Sequence, residues 1–425
     1  MSMSSSPLSS SAGTAPRVVS FEVARHLVEK HAAGVCPGDL ETVDLLAGLG
    51  RVLAEGIVAD RDFPPFDRAT RDGYAVLAAD LVEVPARLEV VGEVKAGDWP
   101  EAKSCSVGRG QAVGIMTGAP LPAGADAVVM VEHTATLGRD TLGGKFVEVQ
   151  RGVHAGENFV PRGAEARAGQ LLLDRGRWLD HAGVAIAASV GKSQVQVFRK
   201  PRVAVLSTGD EVVEIDAMLA PAQIRNSNSY SLAAQVVNVG GEAVRLAIAP
   251  DSPGRLRALI EEGFECDLLL LTGGVSMGKY DLVEQVLGEL QAEFYFTGAE
   301  IQPGRPVVFG SCGKKYFFGL PGNPVSTMVT FELFARPMIE ALAGMTPRPL
   351  VFVSARLKSE IRTKTGLKRF LPAVLAGEFE DAEVELARWQ GSGDIAALAQ
   401  ANCYVVVPPD RERMEAGEWV SLLMW

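Results

Sequence analysis

Apolar positions between 18 and 30 recur with helical spacing, and Ser20 stands where a hydroxyl can cap a first turn, so an amphipathic helix is predicted there. Residues 61–73 (RDFPPFDRATRDG) break that period with Pro, Asp and Gly and read as a loop. From 80 to 150, short alternating apolar runs (LEVVGEV, AVVMVEH, KFVEVQ) are separated by Gly and Pro, the pattern of short β-strands. Helical spacing returns over 177–190 and stops at Gly191.

The stretch 201–345 changes character. Runs 203–206, 243–248, 267–271 and 316–318 are apolar on both faces, and helical patterns occupy 229–239, 253–262, 282–290 and 324–342. Alternation of this kind predicts a parallel sheet with helices on both sides. From 349 onward short strands return (VFVSARL, FLPAVL, YVVVPP, WVSLLMW), predicting a small barrel or sandwich. The chain shows no internal repeat.

With 425 residues, the chain has room for about three domains. Its 47% apolar and 22% charged residues are a globular mix. Only residues 1–16 (MSMSSSPLSSSAGTAP) read as a disordered lead, and they lack the apolar core of a secretory signal. A net charge of −11 argues against a nucleic-acid partner and means that an anionic substrate must be held by local donors. The most apolar runs, 266–271 and 183–190, fall far short of the roughly 20 residues a membrane helix needs. Five scattered cysteines without a CxxC pair point to a reduced, cytoplasmic setting. The five histidines show no metal spacing.

Ligands of open α/β sheets sit beyond the carboxyl ends of the strands. Three polar loops fall there: 207–211 (STGDE), 272–278 (TGGVSMG) and 319–324 (GLPGNP). The second resembles a phosphate cradle, with backbone N–H groups at Gly273 and Gly274 and hydroxyls at Thr272 and Ser276. In the third, Asn323 as cap and Pro324 in the first turn would start a helix whose free N–H groups also attract an anion. Asp210, Glu211 and Asp251 at neighbouring strand ends suit Mg²⁺ held between protein and substrate phosphates, although Asp251 equally suits a helix cap. In the N-terminal half, Asp67 and Asp72 bracket Arg68 to Arg71 ahead of Gly73-Tyr74-Ala75, and a second cluster spans 116–129. Alone, these read as hairpin turns.

Seven stretches in order resemble the molybdopterin molybdenumtransferase family, the molybdenum-insertion enzymes related to the C-terminal half of gephyrin. They are PPFDRATRDGYAV (64–76), IMTGAPLPAGADAVVMVEHT (115–134), STGDE (207–211), TGGVSMG (272–278), QPGRPVVFG (302–310), GLPGNPVS (319–326) and GSGDIAALA (391–399). The resemblance implies a multidomain α/β plus all-β protein. A discontinuous helical domain would take 17–60 and 150–191, an inserted β domain 61–149, a molybdopterin-binding-like α/β domain 192–346 and a C-terminal β-barrel 347–425. It implies a homodimer whose cleft joins the α/β domain of one protomer to the inserted domain of the other. The implied reaction transfers molybdate to adenylylated molybdopterin with Mg²⁺, releasing AMP. Catalytic roles would fall to Asp67, Thr117, Asp210 and Asp251, with Asp210, Asp251 and Glu211 on the metal. Substrate binding would fall to Thr208, Gly209, Thr272, Gly273, Gly274, Ser276, Asp281, Gly304, Arg305, Pro321, Gly322, Asn323 and Ser392.

Several positions depart from the family pattern. Gln302 and Arg305 stand where lysines are usual, and Leu367 follows the glycine where arginine is usual, with Lys368 and Arg369 beside it. Ala164 and Glu165 replace a pair of acids, and Arg71 an apolar residue. Fewer fixed cations would weaken capture of a tetrahedral oxyanion. Two other readings use the same chain: a molybdopterin adenylyltransferase, which leaves the 64–76 and 115–134 motifs unexplained, and a non-catalytic gephyrin-like scaffold, which needs none of Asp67, Asp210 and Asp251.

Overall fold

The computed structural model describes residues 18–99, 105–137, 144–274 and 282–425; the lead expected at 1–16 lies outside them. Helix α1 (Phe21–Ala32) starts where Ser20 Oγ accepts the Val23 N–H, and it buries Ala24, Val28 and Ala32. Helix α2 (His181–Ser189) starts at Asp180, which accepts the Gly183 N–H at 2.7 Å, and ends ahead of Gly191 at φ +77°. Of 17–60 and 150–191, expected to be helical, the described residues form only these two helices and a 3₁₀ turn at Leu45–Gly48. What joins the segments is strand pairing: Leu40–Asp44 with Gln194–Phe198, and Ile57–Val58 with Leu171–Leu173.

The inserted segment forms a six-stranded sheet in the order Ala127–Met130, Gly73–Val76, Gln111–Ile115, Ala86–Val94, Phe146–Val149, Thr134–Leu137. The stretch 61–73 is not purely loop. Arg68–Ala69 pairs with Phe159–Val160, and Gly73 opens an internal strand of the sheet.

The α/β part carries a sheet ordered Glu242–Arg245, Arg202–Ser207, Leu268–Thr272, Lys315–Leu320, Val308–Cys312, Glu293–Phe296. Its first four strands are parallel, as expected. The last two are antiparallel, so the sheet is mixed, because Gly313 at φ +58° turns the chain straight back between Cys312 and Lys315. Alternation along the strands feeds two cores. Val203, Val205, Leu268 and Leu270 face α1, α3 (Ser227–Asn238) and the 324–342 helix, while Ala204, Leu206, Leu269 and Leu271 face α4 (Pro253–Gly263) and α5 (Leu282–Glu289).

The helix expected over 324–342 is interrupted: α6 (Pro324–Thr330), a π-helical turn (Phe331–Ala335) and α7 (Arg336–Leu342) follow one another. Pro337 has no N–H to offer the Leu333 carbonyl four residues back. Arg25 of α1 takes that place, its Nη1 donating to Leu333 O at 2.6 Å.

Of the two C-terminal options the chain takes the barrel. Strands Lys368–Ala376, Glu383–Leu386, Phe352–Leu357, Trp419–Met424 and Cys403–Val407 pair in that order, and the last closes on the first. The short helix α8 (Ile395–Leu398) is capped by Asp394. Ile301–Gln302 of the α/β part adds a parallel edge strand against Lys368 and Arg369.

Candidate active site

Strands of the parallel sheet end side by side, with Ser207 opposite Thr272 and Thr272 opposite Leu320. The three loops beyond them are therefore neighbours. Thr208 N–H donates to Thr272 O at 3.0 Å, Gly209 N–H to Ala249 O at 3.1 Å and Gly273 N–H to Leu320 O at 3.3 Å. Gly273 and Gly274 lie at φ +90° and +64°, and a Cβ at either would press on Thr208. Both the backbone conformation and the close approach require glycine there. Thr272 Oγ1 and Thr327 Oγ1 both donate to Pro321 O, at 3.2 and 2.5 Å, fixing the third loop against the second. Between the loops lies a cleft of about 140 Å³ bordered by Thr208, Glu211, Thr272, Gly273, Gly322 and Asn323.

Two residues that sequence reasoning missed organise this cleft. Asn226 caps α3, accepting the Ser229 N–H at 3.2 Å and the Ser207 hydroxyl at 2.8 Å. Asn228 donates from Nδ2 to Thr272 Oγ1 at 2.9 Å and to Gly322 O at 2.7 Å, stitching the second loop to the third. Its Oδ1 is buried without a partner. The signal was the run 225–229 (RNSNS), but a helix read from 229 leaves both asparagines in an unremarkable loop.

Asp210 and Asp251 are adjacent: Asp210 Oδ1 accepts the Asp251 N–H at 3.0 Å. Asp251 is not the helix cap, since α4 begins after Ser252. Among the described residues no three His, Cys, Asp or Glu side chains converge as a metal cage. Asp210 and Asp251 thus meet through a backbone N–H, with Glu211 on the cleft wall, and these hard-oxygen side chains would suit Mg²⁺ only with phosphate oxygens completing its shell.

Asn323 does not cap α6 with its side chain; Nδ2 donates instead to Ser392 Oγ at 2.8 Å. Val325 N–H donates to Ser392 O at 3.0 Å and Pro324 has no N–H, so the helix start offers an anion fewer donors than expected. Ser392 brings the barrel region onto the third loop. Gly304, at φ +100°, lies so close to α6 that a Cβ would meet Thr330 Cγ2 at 2.4 Å. Arg305 and Gln302 are exposed beside it. Lys368 is committed to Glu22. Arg369 is buried, donates to Leu367 O at 3.1 Å, and burial holds its guanidinium below the ordinary arginine range. Ser276 and Asp281 lie outside the described residues.

A second cluster forms on the inserted domain. Its two motifs are zipped together by Ala69 N–H to Ala119 O at 3.0 Å, Gly118 N–H to Ala69 O at 2.9 Å and Leu121 N–H to Asp67 O at 2.8 Å. Asp67 Oδ1 accepts the Arg162 N–H at 2.8 Å, and Arg68 pairs with Glu165 at 2.8 Å. Asp72, passed over as a turn residue, accepts the Thr117 N–H at 2.7 Å. That bond and one from the Thr117 side chain hold its carboxyl below the usual carboxylate range. The bonds of this cluster run among residues 62–168, those of the first among 207–392.

Known proteins match most of this chain. Residues 19–191 match the MoeA N-terminal region (domain I and II), 204–341 the probable molybdopterin binding domain, and 354–425 the MoeA C-terminal region (domain IV). A protein of Nostoc sp. named molybdopterin molybdenumtransferase is 36% identical over 398 residues, 91% of this chain and 88% of its own. The Bacillus subtilis protein of that name is 34% identical over 396 residues, 91% of this chain and 90% of its own. This chain belongs to the molybdopterin molybdenumtransferase family. A crystal structure of the molybdopterin biosynthesis MoeA protein from Pyrococcus horikoshii OT3 superposes with a TM-score of 0.75 at 29% identity, covering 96% of this chain and 100% of that one. Within the molybdenumtransferase frame, the N-terminal match runs unbroken through the six-stranded sheet that carries the neighbours of Asp72 and Thr117. No described helix is long and apolar enough to cross a membrane.

Proposed function

We propose that this chain inserts molybdenum into molybdopterin, taking molybdate and adenylylated molybdopterin and releasing AMP, in the cytoplasm and as a homodimer. The observation that carries the reading is the cradle of Thr208, Thr272, Gly273 and Gly322, tied by Asn228 and flanked by Asp210 and Asp251. Because the Thr208, Gly209 and Gly273 N–H groups and the Thr272 hydroxyl are engaged within the chain, the donors for the substrate's phosphates would be the Thr208 hydroxyl and the N–H groups of Gly274 and Gly322. The unpartnered Asn228 Oδ1 accepts a donor from the substrate. Asp210, with Asp251 and Glu211, would hold Mg²⁺ against the phosphates, where the ion supplies charge neutralisation as the phosphoanhydride breaks. Ser392, bonded to Asn323 of the cleft wall, and Gly304 and Arg305 beside α6 would add substrate contacts on the side toward the barrel. Asp67 and Thr117 would reach a cleft from the partner protomer; among the described residues no bond of their cluster joins it to the cleft loops of its own chain.

The test is incubation of the purified protein with adenylylated molybdopterin, Mg²⁺ and molybdate, following AMP and molybdenum cofactor together. Molybdate-dependent release of both is expected. No release supports a scaffold, and ATP consumption with unmodified molybdopterin supports an adenylyltransferase.

A further inference from the structure

We propose that a groove on the inserted sheet holds the pterin ring of the substrate, with the Glu93 carboxylate accepting two adjacent N–H donors from the ring's edge. The ligand's identity rests on the molybdopterin reading above; its place does not follow from the phosphate cradle. The groove measures about 930 Å³, within the range of small-molecule sites, and none of residues 207–211, 272–274 or 319–324 lines it. Asp72 borders it while accepting the Thr117 N–H at 2.7 Å, so the groove is continuous with the polar cluster of the inserted domain.

Strand register builds its floor. Tyr74 lies opposite Gly114 and Gly114 opposite Glu93, so three neighbouring strands put these residues on one face. Glycine in a strand interior lowers stability and often marks the close approach of a ligand or another backbone. No local cause requires it at 114. Its φ is not left-handed, and a Cβ would meet Glu93 Cγ at 3.6 Å and Gly92 O at 3.7 Å, ordinary van der Waals separations. The missing side chain leaves a gap where a flat ring can lie against the backbone. The surface around the gap is apolar, from Tyr74, Val90, Met116 and Val131, and Met116 and Val131 are 41% and 49% exposed.

Glu93 sets the ligand class. One carboxylate can accept two parallel N–H bonds. The 2-amino-4-oxo edge of a pterin presents two such groups side by side, on the 2-amino nitrogen and on the ring nitrogen next to it. Within the chain the Glu93 carboxylate meets Lys95 Nζ at 3.8 Å, beyond hydrogen-bond distance and with both side chains more than half exposed. Its oxygens therefore remain open to donors from a ligand. The substrate is then divided between protomers, with phosphates on the glycine-rich loops of one and pterin on the inserted sheet of the other.

The experiment titrates the full chain with pterin and with lumazine, in which an oxo group replaces the 2-amino donor, by ligand-observed NMR. Pterin should bind about tenfold or more tighter than lumazine, the worth of one charge-assisted hydrogen bond. Glu93→Gln should erase that preference. Gly114→Val, which puts a strand-favouring side chain on the floor, should weaken both probes without lowering the melting temperature. In turnover, Glu93→Gln should raise the KM for adenylylated molybdopterin about tenfold and leave the KM for molybdate unchanged. Equal binding of the two probes, a preference that survives Glu93→Gln, no binding of pterin, or binding undiminished by Gly114→Val each overturns the groove as the pterin site, even where AMP release is normal. Absence of AMP release from the unaltered chain overturns the molybdopterin reading and the ligand assignment with it. The comparison of probes on the unaltered chain decides even if a variant fails to fold.

Discussion

Asp210 is fixed by its neighbours before any substrate arrives, with one oxygen on the Asp251 N–H and the cleft wall beside it. Replacing it by Asn keeps an acceptor for that N–H and removes the negative charge. Asp210→Asn should therefore leave the melting temperature within a degree or two yet cut AMP release by about a hundredfold or more, the scale of lost charge stabilisation at a phosphoryl centre. Full turnover at saturating Mg²⁺ contradicts the assignment. Gln302 makes a second residue-scale test. A neutral amide replaces an ammonium, a difference of about 1 kcal/mol or more per hydrogen bond. Gln302→Lys should lower the apparent KM for molybdate up to roughly tenfold with the pterin KM unchanged. An unchanged molybdate titration would separate Gln302 from the oxyanion. At this scale the sequence was legible where a polar motif directly follows an apolar strand, as at Thr208, Asp210 and Thr272. Asn228 was not, because its role depends on a helix starting two residues earlier than its apolar period suggests.

Elements show the same division between local and distant causes. Strands 203–206 and 268–272 could be read from apolar runs alone, while the antiparallel pair at the sheet's far edge could not, since its direction depends on the turn at Gly313. The π-helical turn depends on Pro337 and on a guanidinium 308 residues earlier in sequence, a contact no local pattern displays. Gly73 is the clearest case of a motif residue with a packing cause. Its strand lies between Gln111–Ile115 and Ala127–Met130, and a Cβ would come within 1.8 Å of Val129 O. Because Val129 O is a backbone atom of the edge strand paired with Gly73–Val76, relief of that contact needs a shift of the backbone itself. Gly73→Ala should destabilise the inserted sheet by about 3 kcal/mol, seen as early urea unfolding by circular dichroism. Wild-type unfolding would mean that the glycine is kept for chemistry instead.

For the molecule as a whole, the separation of the two polar clusters into independent bond networks has a direct functional reading. If each cleft draws on two chains, Asp67→Ala and Asp210→Ala protomers are each inactive alone but complement each other. After subunit exchange of equal amounts, half the dimers are hybrid with one intact cleft of two, so roughly a quarter of wild-type activity should return. Exchange demonstrated by mass spectrometry, with no recovery of AMP release, would place both aspartates in the same chain's site.

The anchoring of α1 by Arg25 also sets an order of events during synthesis. This helix leaves the ribosome well before the carbonyl it completes at Leu333, which is 308 residues behind it. At about 5–20 residues per second, that acceptor emerges roughly 15–60 s later. Until then the face bearing Ala24, Val28 and Ala32 lacks the π-helical turn and α7, against which it packs. The newborn chain therefore presents an apolar helix face until those elements follow, and the Arg25–Leu333 contact can form only after 308 further residues are made.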